Sequence, residues 1–367
     1  MSAVGDGARA LSAERVLETL RAIEDPDLHR DIVSLGFVKD IAISDGDVSF
    51  TIELTTPACP VRDQLKARAE ELVRELGGTR SVSVRMTSQV RASAGQTKEK
   101  LIPGVKNVVP IASGKGGVGK STVSANLAVA LARMGASVGL MDADVYGPSI
   151  PRIMGAEEPP RDVGGRLVPV SCHGVKVISM GFFLPREEAV VWRGPMLHKM
   201  VQQFLGDVEW GQLDYLLVDL PPGTGDVQLS LCQTIALTGA AIVSTPQDVA
   251  LDVARRGIAM FAKLSAPVLG MIENMSGYIC PHCGVSEDVF GIGGARSAAE
   301  ALGIPFLGEI PLTTAIRRSA DEGLPIVLAA AGSPAAQAFV RVAEQLAAQV
   351  SIANLASAAV QPITVSF

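Results

Sequence analysis

The sequence predicts an α/β protein built on a largely parallel sheet and preceded by a smaller α/β unit. Three observations carry that expectation. From Asn107 onward, short apolar runs alternate with glycine turns and helical stretches, the pattern of strands covered by helices on both faces. One of those turns, GKGGVGKST (Gly114–Thr122), has the spacing G-x-x-x-x-G-K-[ST] between a strand and a helix. Ahead of it, residues 11–90 carry helix and strand periods of their own and lead into a polar, turn-rich stretch.

The first helix is expected in SAERVLETLRAI, where Val16, Leu17, Leu20 and Ile23 keep helical spacing behind a Ser12 cap. VSFTIEL (48–54) alternates as a strand, and PVRDQLKARAEELVREL (60–76) returns to helical spacing before Gly77 and Gly78 end it. SVSVRM reads as another strand. VRASAGQTKEKLIPG has no apolar period, so residues 91–104 are assigned as a linker between units at 11–90 and 105–350. In the larger unit VVPIAS, ASVGLMD, VKVISM, YLLVDL, AAIVST and APVLGMI are the expected strands. SIANLASAAVQPITVSF lacks a clear period, and residues 351–367 are read as a tail.

Composition narrows the function. A chain of 367 residues has room for two domains, and 48% hydrophobic with 19% charged residues describes a folded protein. A net charge of −6 argues against non-specific nucleic-acid binding, which needs a basic footprint. No uninterrupted apolar run reaches about 18 residues, so no membrane-spanning helix is expected. MSAVGDGARALSAERV lacks a charged head followed by an apolar segment, and no secretory signal is expected. The five cysteines are an odd number, with Cys280 and Cys283 alone close together, which fits a reducing cytoplasm better than a disulfide framework. The expectation is a cytoplasmic protein with neither nucleic acid nor membrane as partner.

The glycine-rich turn carries the most specific chemistry. Gly114, Gly116, Gly117, Val118 and Gly119 can aim backbone N–H groups at phosphate oxygens, and the following helix N-terminus adds a favourable field. Lys120 is expected at the β- and γ-phosphates and the Ser121 hydroxyl on Mg²⁺, with Thr122 completing the ATP-binding string. Two acidic segments follow, VGLMDADVYGPS (138–149) and YLLVDLPPGTGD (215–226). Carboxylates at strand ends beside such a loop are where Mg²⁺ and an attacking water are held. No arginine finger is evident, so slow hydrolysis coupled to a conformational step is expected.

The string GKGGVGK, with its second lysine Lys115, resembles the deviant Walker A loop of the SIMIBI-class P-loop ATPases. That group includes partition proteins, the arsenite-pump ATPase, the nitrogenase iron protein and iron–sulfur carriers. The resemblance implies a P-loop NTPase fold and a homodimer in which Lys115 reaches the partner's phosphates. It further implies that Asp144 orients water while Asp142 and Asp219 act on Mg²⁺ and its water shell. Asp226 and the glycines of PPGTG match the γ-phosphate switch, and Asn274 matches the position that reads the adenine edge. Lys115, Lys120, Asp144 and Asp226 are thus the expected catalytic set.

CPHC (280–283) is half of a metal site at most, because a structural zinc takes four ligands and no second CxxC exists. Cys172 and Cys232 stand in apolar surroundings as small core residues, and His282 between two ligand cysteines is expected to point away. A thioredoxin-type disulfide does not suit a pair that follows a polar loop. The dimer implied above joins two pairs, and four thiolates suit Zn²⁺ or a [4Fe–4S] cluster, which the ligand count does not separate.

GKGGVGKST, DADVYGPS, DLPPGTGD, ENMSGY and CPHCG, in this order, resemble the Mrp/ApbC-type iron–sulfur cluster carrier ATPases over about residues 100–345. The resemblance implies a [4Fe–4S] cluster at Cys280 and Cys283, with iron–sulfur scaffold or assembly proteins as donors and apo iron–sulfur proteins as acceptors. EDPDLHRDIVSLGFVKDI (24–41) with LTTPACP (54–60) resembles the small domain of SufT-type assembly factors, whose acidic turn Asp25 and Asp27 match. Cys59, before Pro60 at an expected helix start whose dipole favours thiolate, is a candidate reactive thiol. The rival readings are a partition-type ATPase acting on DNA or membrane and a zinc-bridged, nucleotide-dependent scaffold. The few basic residues of RVAEQLAAQVSIANL disfavour a membrane anchor.

Overall fold

The structure, a computed structural model, describes residues 11–93, 101–183, 194–280 and 282–359. The chain divides into two compact units, residues 1–90 and 91–367. In the smaller unit, helix α1 (Ala13–Leu20) starts where the Ser12 hydroxyl accepts the Arg15 N–H at 3.3 Å. A three-stranded sheet follows from β1 (Val38–Ser44), β2 (Asp47–Leu54) and β3 (Ser81–Ser88), with helix α2 (Arg62–Arg74) crossing between β2 and β3. β1 pairs antiparallel with β2, and β2 parallel with β3. The sequence hid β1, because its alternation is broken by Asp40 at φ 53° and a register shift between Lys39 and Ala42. Val16 and Leu20 of α1 and Leu65, Ala69 and Val73 of α2 keep helical spacing and close over Val48, Phe50 and Ile52.

The larger unit carries a nine-stranded sheet among the described residues. Its elements are β4 (Val105–Ser113), α3 (Lys120–Arg133), β5 (Val138–Asp142), α4 (Ile150–Ile153), β6 (Val170–Cys172) and β7 (Val175–Ser179). Then come α5 (Gly194–Gly206), β8 (Leu213–Asp219), α6 (Asp226–Thr234), β9 (Ala240–Ser244) and α7 (Asp248–Lys263). The chain continues through β10 (Val268–Ile279), β11 (Ser286–Glu287), α8 (Gly294–Leu302), β12 (Phe306–Leu312), α9 (Thr314–Asp321), α10 (Ile326–Ala329) and α11 (Pro334–Ala359). Strand order is β6-β7-β5-β8-β4-β9-β10-β11, with β12 also on β10. The pairs from β7 through β10 and on to β12 are parallel, while β6 and β11 are antiparallel additions.

The expected α/β class with a mostly parallel sheet is therefore what the chain adopts. Alternate residues of one strand serve opposite faces, so Leu216 and Val218 pack with Leu205, Leu231 and Phe261 from α5, α6 and α7. Helices α3 and α11 pack against each other, α3 on β5 and β8, and α11 on β10 and β12. β4 lies between β8 and β9, so the chain turns to opposite sides of it, and ligands gather at such a switch point above the strand ends.

Three expectations about boundaries change. Strand β10 does not stop at Ile272 but runs through ENMSGYI to Ile279, because the polar side chains Glu273 and Asn274 are paired inside the fold. Helix α11 continues through residues 351–359 of the expected tail, where Ser351 and Asn354 are buried. Asn354 Nδ2 donates to Arg91 O at 3.0 Å and Asn107 Oδ1 at 2.9 Å, which fixes that extension. Arg91, the first residue of the expected linker, is thereby joined to the larger unit. Residues 94–100 of that linker and 360–367 of the tail lie outside the described residues.

Candidate functional site

Strand β4 ends at Ser113, and the following turn wraps the N-terminus of α3. Two glycines there are required by space and conformation. A side chain on Gly114 would run into the backbone of α7 at Val253 and Ala254. Gly119 has φ +81°, and a Cβ there would collide with Asn274 Nδ2.

Lys120 opens α3 and is buried. Its Nζ lies 2.7 Å from Asp219 Oδ2 and 3.8 Å from Asp144 Oδ2. Asp219 is wholly buried at the end of β8 and gathers two more donors. Ser121 Oγ donates to its Oδ2 at 2.6 Å and Ser124 Oγ to its Oδ1 at 2.6 Å. Ser121 and Asp219 thus set two hard oxygen donors side by side, the ligand chemistry that Mg²⁺ prefers. Ser124 has no signature in the sequence, being a serine one turn into a helix.

Asp142 is placed differently from expectation. It ends β5 opposite Asp219 in the ladder, but both its oxygens are taken up by donors from the loop that follows it and from the end of β7. Oδ1 accepts the Asp144 N–H at 3.1 Å, and Oδ2 accepts the Ile150 N–H at 3.2 Å and the Ser179 hydroxyl at 2.8 Å. The carboxyl therefore shapes the DVYGPS loop. Burial, and next the charge of Asp219, push its pKa up to about 7, against the opposing Ser179 bond. Asp144 faces the loop, and burial raises its carboxyl while the Lys120 charge opposes.

A cavity of about 530 Å³ opens over these groups. The glycine-rich turn and Asp144 form one wall. Arg152 of α4, Pro311 and Thr313 at the end of β12, and Ile316 and Arg317 of α9 form the other. No local motif marks that second wall, which tertiary folding brings in from distant segments.

Lys115 Nζ donates to Gln247 Oε1 at 3.1 Å, a partner that sequence spacing did not suggest. Asn274, expected at the adenine edge, lines the same cavity and is buried, with Nδ2 donating to Val118 O at 2.8 Å, so its amide braces the loop. Asp226 is exposed at the first position of α6. The turn before it is tied to the loop, because Gly223 N–H donates to Ser113 O at 2.9 Å.

CPHC lies at the tip of the β10–β11 hairpin. Cys280 N–H donates to Val285 O at 3.0 Å, and Gly284 N–H donates to Cys280 O at 2.9 Å. The backbone N–H groups of His282 and Cys283 are aimed at the Cys280 sulfur and hold its thiol below the usual range, helped by the Cys283 side chain. Cys283 is exposed. Pro281 lies outside the described residues. Among the described residues no group of three or more His, Cys, Asp or Glu is set to hold a metal ion. A pair of thiols is what one chain offers.

Cys232 is in the core, and Cys172 Sγ donates to Met154 O at 2.9 Å, its thiol raised by burial. Cys59 does not open a helix. α2 begins at Arg62 behind the N-cap Val61, so Cys59 sits in the preceding turn, packed against the smaller unit's core. Asp25 is buried, and its Oδ1 accepts the N–H groups of Asp27 at 3.0 Å and Leu28 at 2.9 Å, a turn-building role.

Comparison with known proteins agrees with this geometry. Residues 104–347 match the family model described as NUBPL iron-transfer P-loop NTPase, and residues 13–86 match that of an iron–sulfur cluster assembly protein. An iron–sulfur cluster carrier protein of Deinococcus radiodurans is 49% identical over 93% of this chain and 97% of its own. One from Synechocystis is 46% identical over 94% and 99%. Among solved structures, a nucleotide-binding protein of Archaeoglobus fulgidus in complex with ADP is 40% identical, with a TM-score of 0.55 over 61% of this chain and 90% of that one.

Proposed function

The chain belongs to the NUBPL-type iron-transfer P-loop NTPases, the family of the iron–sulfur cluster carrier ATPases, and from that premise we propose how it works. It binds ATP with Mg²⁺ at the Gly114–Thr122 loop and hydrolyses it slowly. Two copies together hold a [4Fe–4S] cluster through Cys280 and Cys283 of each, accept it from scaffold or assembly proteins, and pass it to apo-proteins. The observation that carries this reading is a single strand. β10 touches the loop through Asn274 and ends immediately before Cys280.

Ser121 and Asp219 would hold Mg²⁺, which supplies charge neutralisation for the phosphates. Lys120 is paired with Asp219 and is available to transfer to the β- and γ-phosphates. Asp144 orients the attacking water, and Lys115 leaves Gln247 for the partner's nucleotide. Asp226, at the head of α6, carries the nucleotide state into the dimer interface. Exposed apolar side chains flank the thiols, namely Val285, Val289, Phe290 and Ile292, and a second copy would cover them.

The test is anaerobic reconstitution of the wild type and of the double variant Cys280→Ala, Cys283→Ala, with metal analysis and visible absorption. The wild type is expected to hold four iron atoms per dimer, and the variant none, while ATP binding persists. Equal cluster content in both proteins would overturn the thiol assignment, and zinc in place of iron would favour the scaffold reading.

A further inference from the structure

The turn between β8 and α6 contains a buried atom whose bonding capacity is unused. Gln228 is wholly buried in the first turn of α6. Its Nε2 donates to Pro221 O at 2.7 Å and to Gly223 O at 3.0 Å. Carbonyls can only accept, so these two partners fix which end of the carboxamide is nitrogen. The other end, Oε1, is buried with no hydrogen-bond partner. Folded proteins keep few such atoms, because each retains its full desolvation cost.

Helix geometry indicates which donor belongs there. Gly225 is the N-cap of α6, at φ −91° and ψ −167°, and it makes no side-chain cap bond. A glutamine at the third helical position is the residue that reaches back to the N-cap N–H in a capping box. Gln228 holds that position, and its Oε1 lies 3.7 Å from where a Cβ on Gly225 would be. The box is assembled but open.

The turn also has a fixed end and a free end. Gly223 is held on both sides, by Ser113 O through its N–H and by Gln228 through its carbonyl. Thr224, Gly225 and Asp226 beyond it are exposed. Pro222 lines the cavity over the glycine-rich loop, so a ligand in that cavity meets the turn directly.

We propose that Gln228 is a positioning residue that latches this turn: its Oε1 receives the Gly225 N–H when nucleotide draws Thr224 and Gly225 inward, closing the capping box on α6. The proposal rests on the reading that the cavity binds ATP. It assigns the switch a pivot at Gly223 and a second resting place at Gln228, which the sequence motif alone does not contain.

Hydrogen exchange on the full chain tests it, with and without Mg²⁺ and a non-hydrolysable ATP analogue, in the wild type and in Gln228→Met. In the wild type the Gly225 amide is expected to slow about tenfold with nucleotide. In Gln228→Met that slowing disappears, while the amides of residues 114–122 slow in both proteins. Equal slowing of Gly225 in the two proteins overturns the latch, as does no slowing in a wild type whose loop amides respond. Loop amides that do not respond in the wild type sink the ATP reading instead, and the latch with it.

Gly225→Pro deletes the donor without touching the Gln228 side chain, and φ −91° is about 10° beyond the usual proline range, a small backbone adjustment. It serves even where Gln228→Met folds poorly. Each substitution is expected to lower kcat about tenfold with KM for ATP changed less than about threefold, and the double variant to fall no further. Undiminished kcat in Gly225→Pro, or multiplicative losses in the double variant, would count against the latch.

Discussion

Asp142 and Asp219 end neighbouring strands and face each other across the ladder. Burial and the neighbouring charge raise the Asp142 carboxyl from 3.8 to about 7, so between those values the folded chain holds its proton more tightly than the unfolded chain does. The unfolded state then binds fewer protons, and the contribution of Asp142 to stability falls as pH rises through this window. That is the reverse of a salt-bridged carboxylate. Asp142→Asn is expected to flatten the thermal midpoint between pH 5 and pH 7, and parallel slopes in the two proteins would contradict the assignment. Single residues also show where sequence reading stops. Lys120 and Ser121 were legible because their spacing in the loop is fixed. Ser124 was not, since its partner Asp219 lies 95 positions away, and Gln247 was hidden 132 positions from Lys115.

At the scale of one element, β10 differs most from its appearance in the sequence. ENMSGYI reads as loop because it is polar, yet polarity does not exclude a strand whose polar groups are paired internally. Glu273 is wholly buried with both oxygens satisfied. Oε1 accepts the Ser276 hydroxyl at 2.6 Å and the Gly293 N–H at 2.8 Å, and Oε2 accepts the Ala295 N–H at 2.7 Å. One carboxylate therefore ties β10 to the start of α8 and closes the base of the hairpin that carries the thiols. Glu273→Gln sets an amide donor against backbone donors and is expected to cost about 1–3 kcal/mol in urea unfolding. The hairpin amides of residues 282–287 should exchange faster in that variant, and unchanged exchange would show that the hairpin stands without this clamp. Helix α11 teaches the same lesson, since Ser351 and Asn354 look like tail residues until their partners are known.

For the whole molecule, the alternation of apolar runs with helices was enough to foresee a parallel α/β sheet, but not which segments wall the cavity. α4 and α9 reach it through strand order, which no local pattern encodes. The domain boundary is also set by tertiary contacts. Arg91 O accepts from both Asn107 Nδ2 and Asn354 Nδ2, so a chain beginning at Arg91 is expected to melt several degrees above one beginning at Leu101. Each amide left without that acceptor costs about 1–3 kcal/mol, and equal midpoints would show that water replaces it. β10 has a last consequence. From Asn274 to Cys280 the chain covers roughly 15–20 Å at strand rise, allowing for the irregular register after Asn274. The Debye length at physiological ionic strength is about 8 Å, so phosphate charge at one end of the strand is largely screened from the sulfur atoms at the other. Whatever passes between the two ends must travel as displacement of the backbone, and added salt should leave it intact.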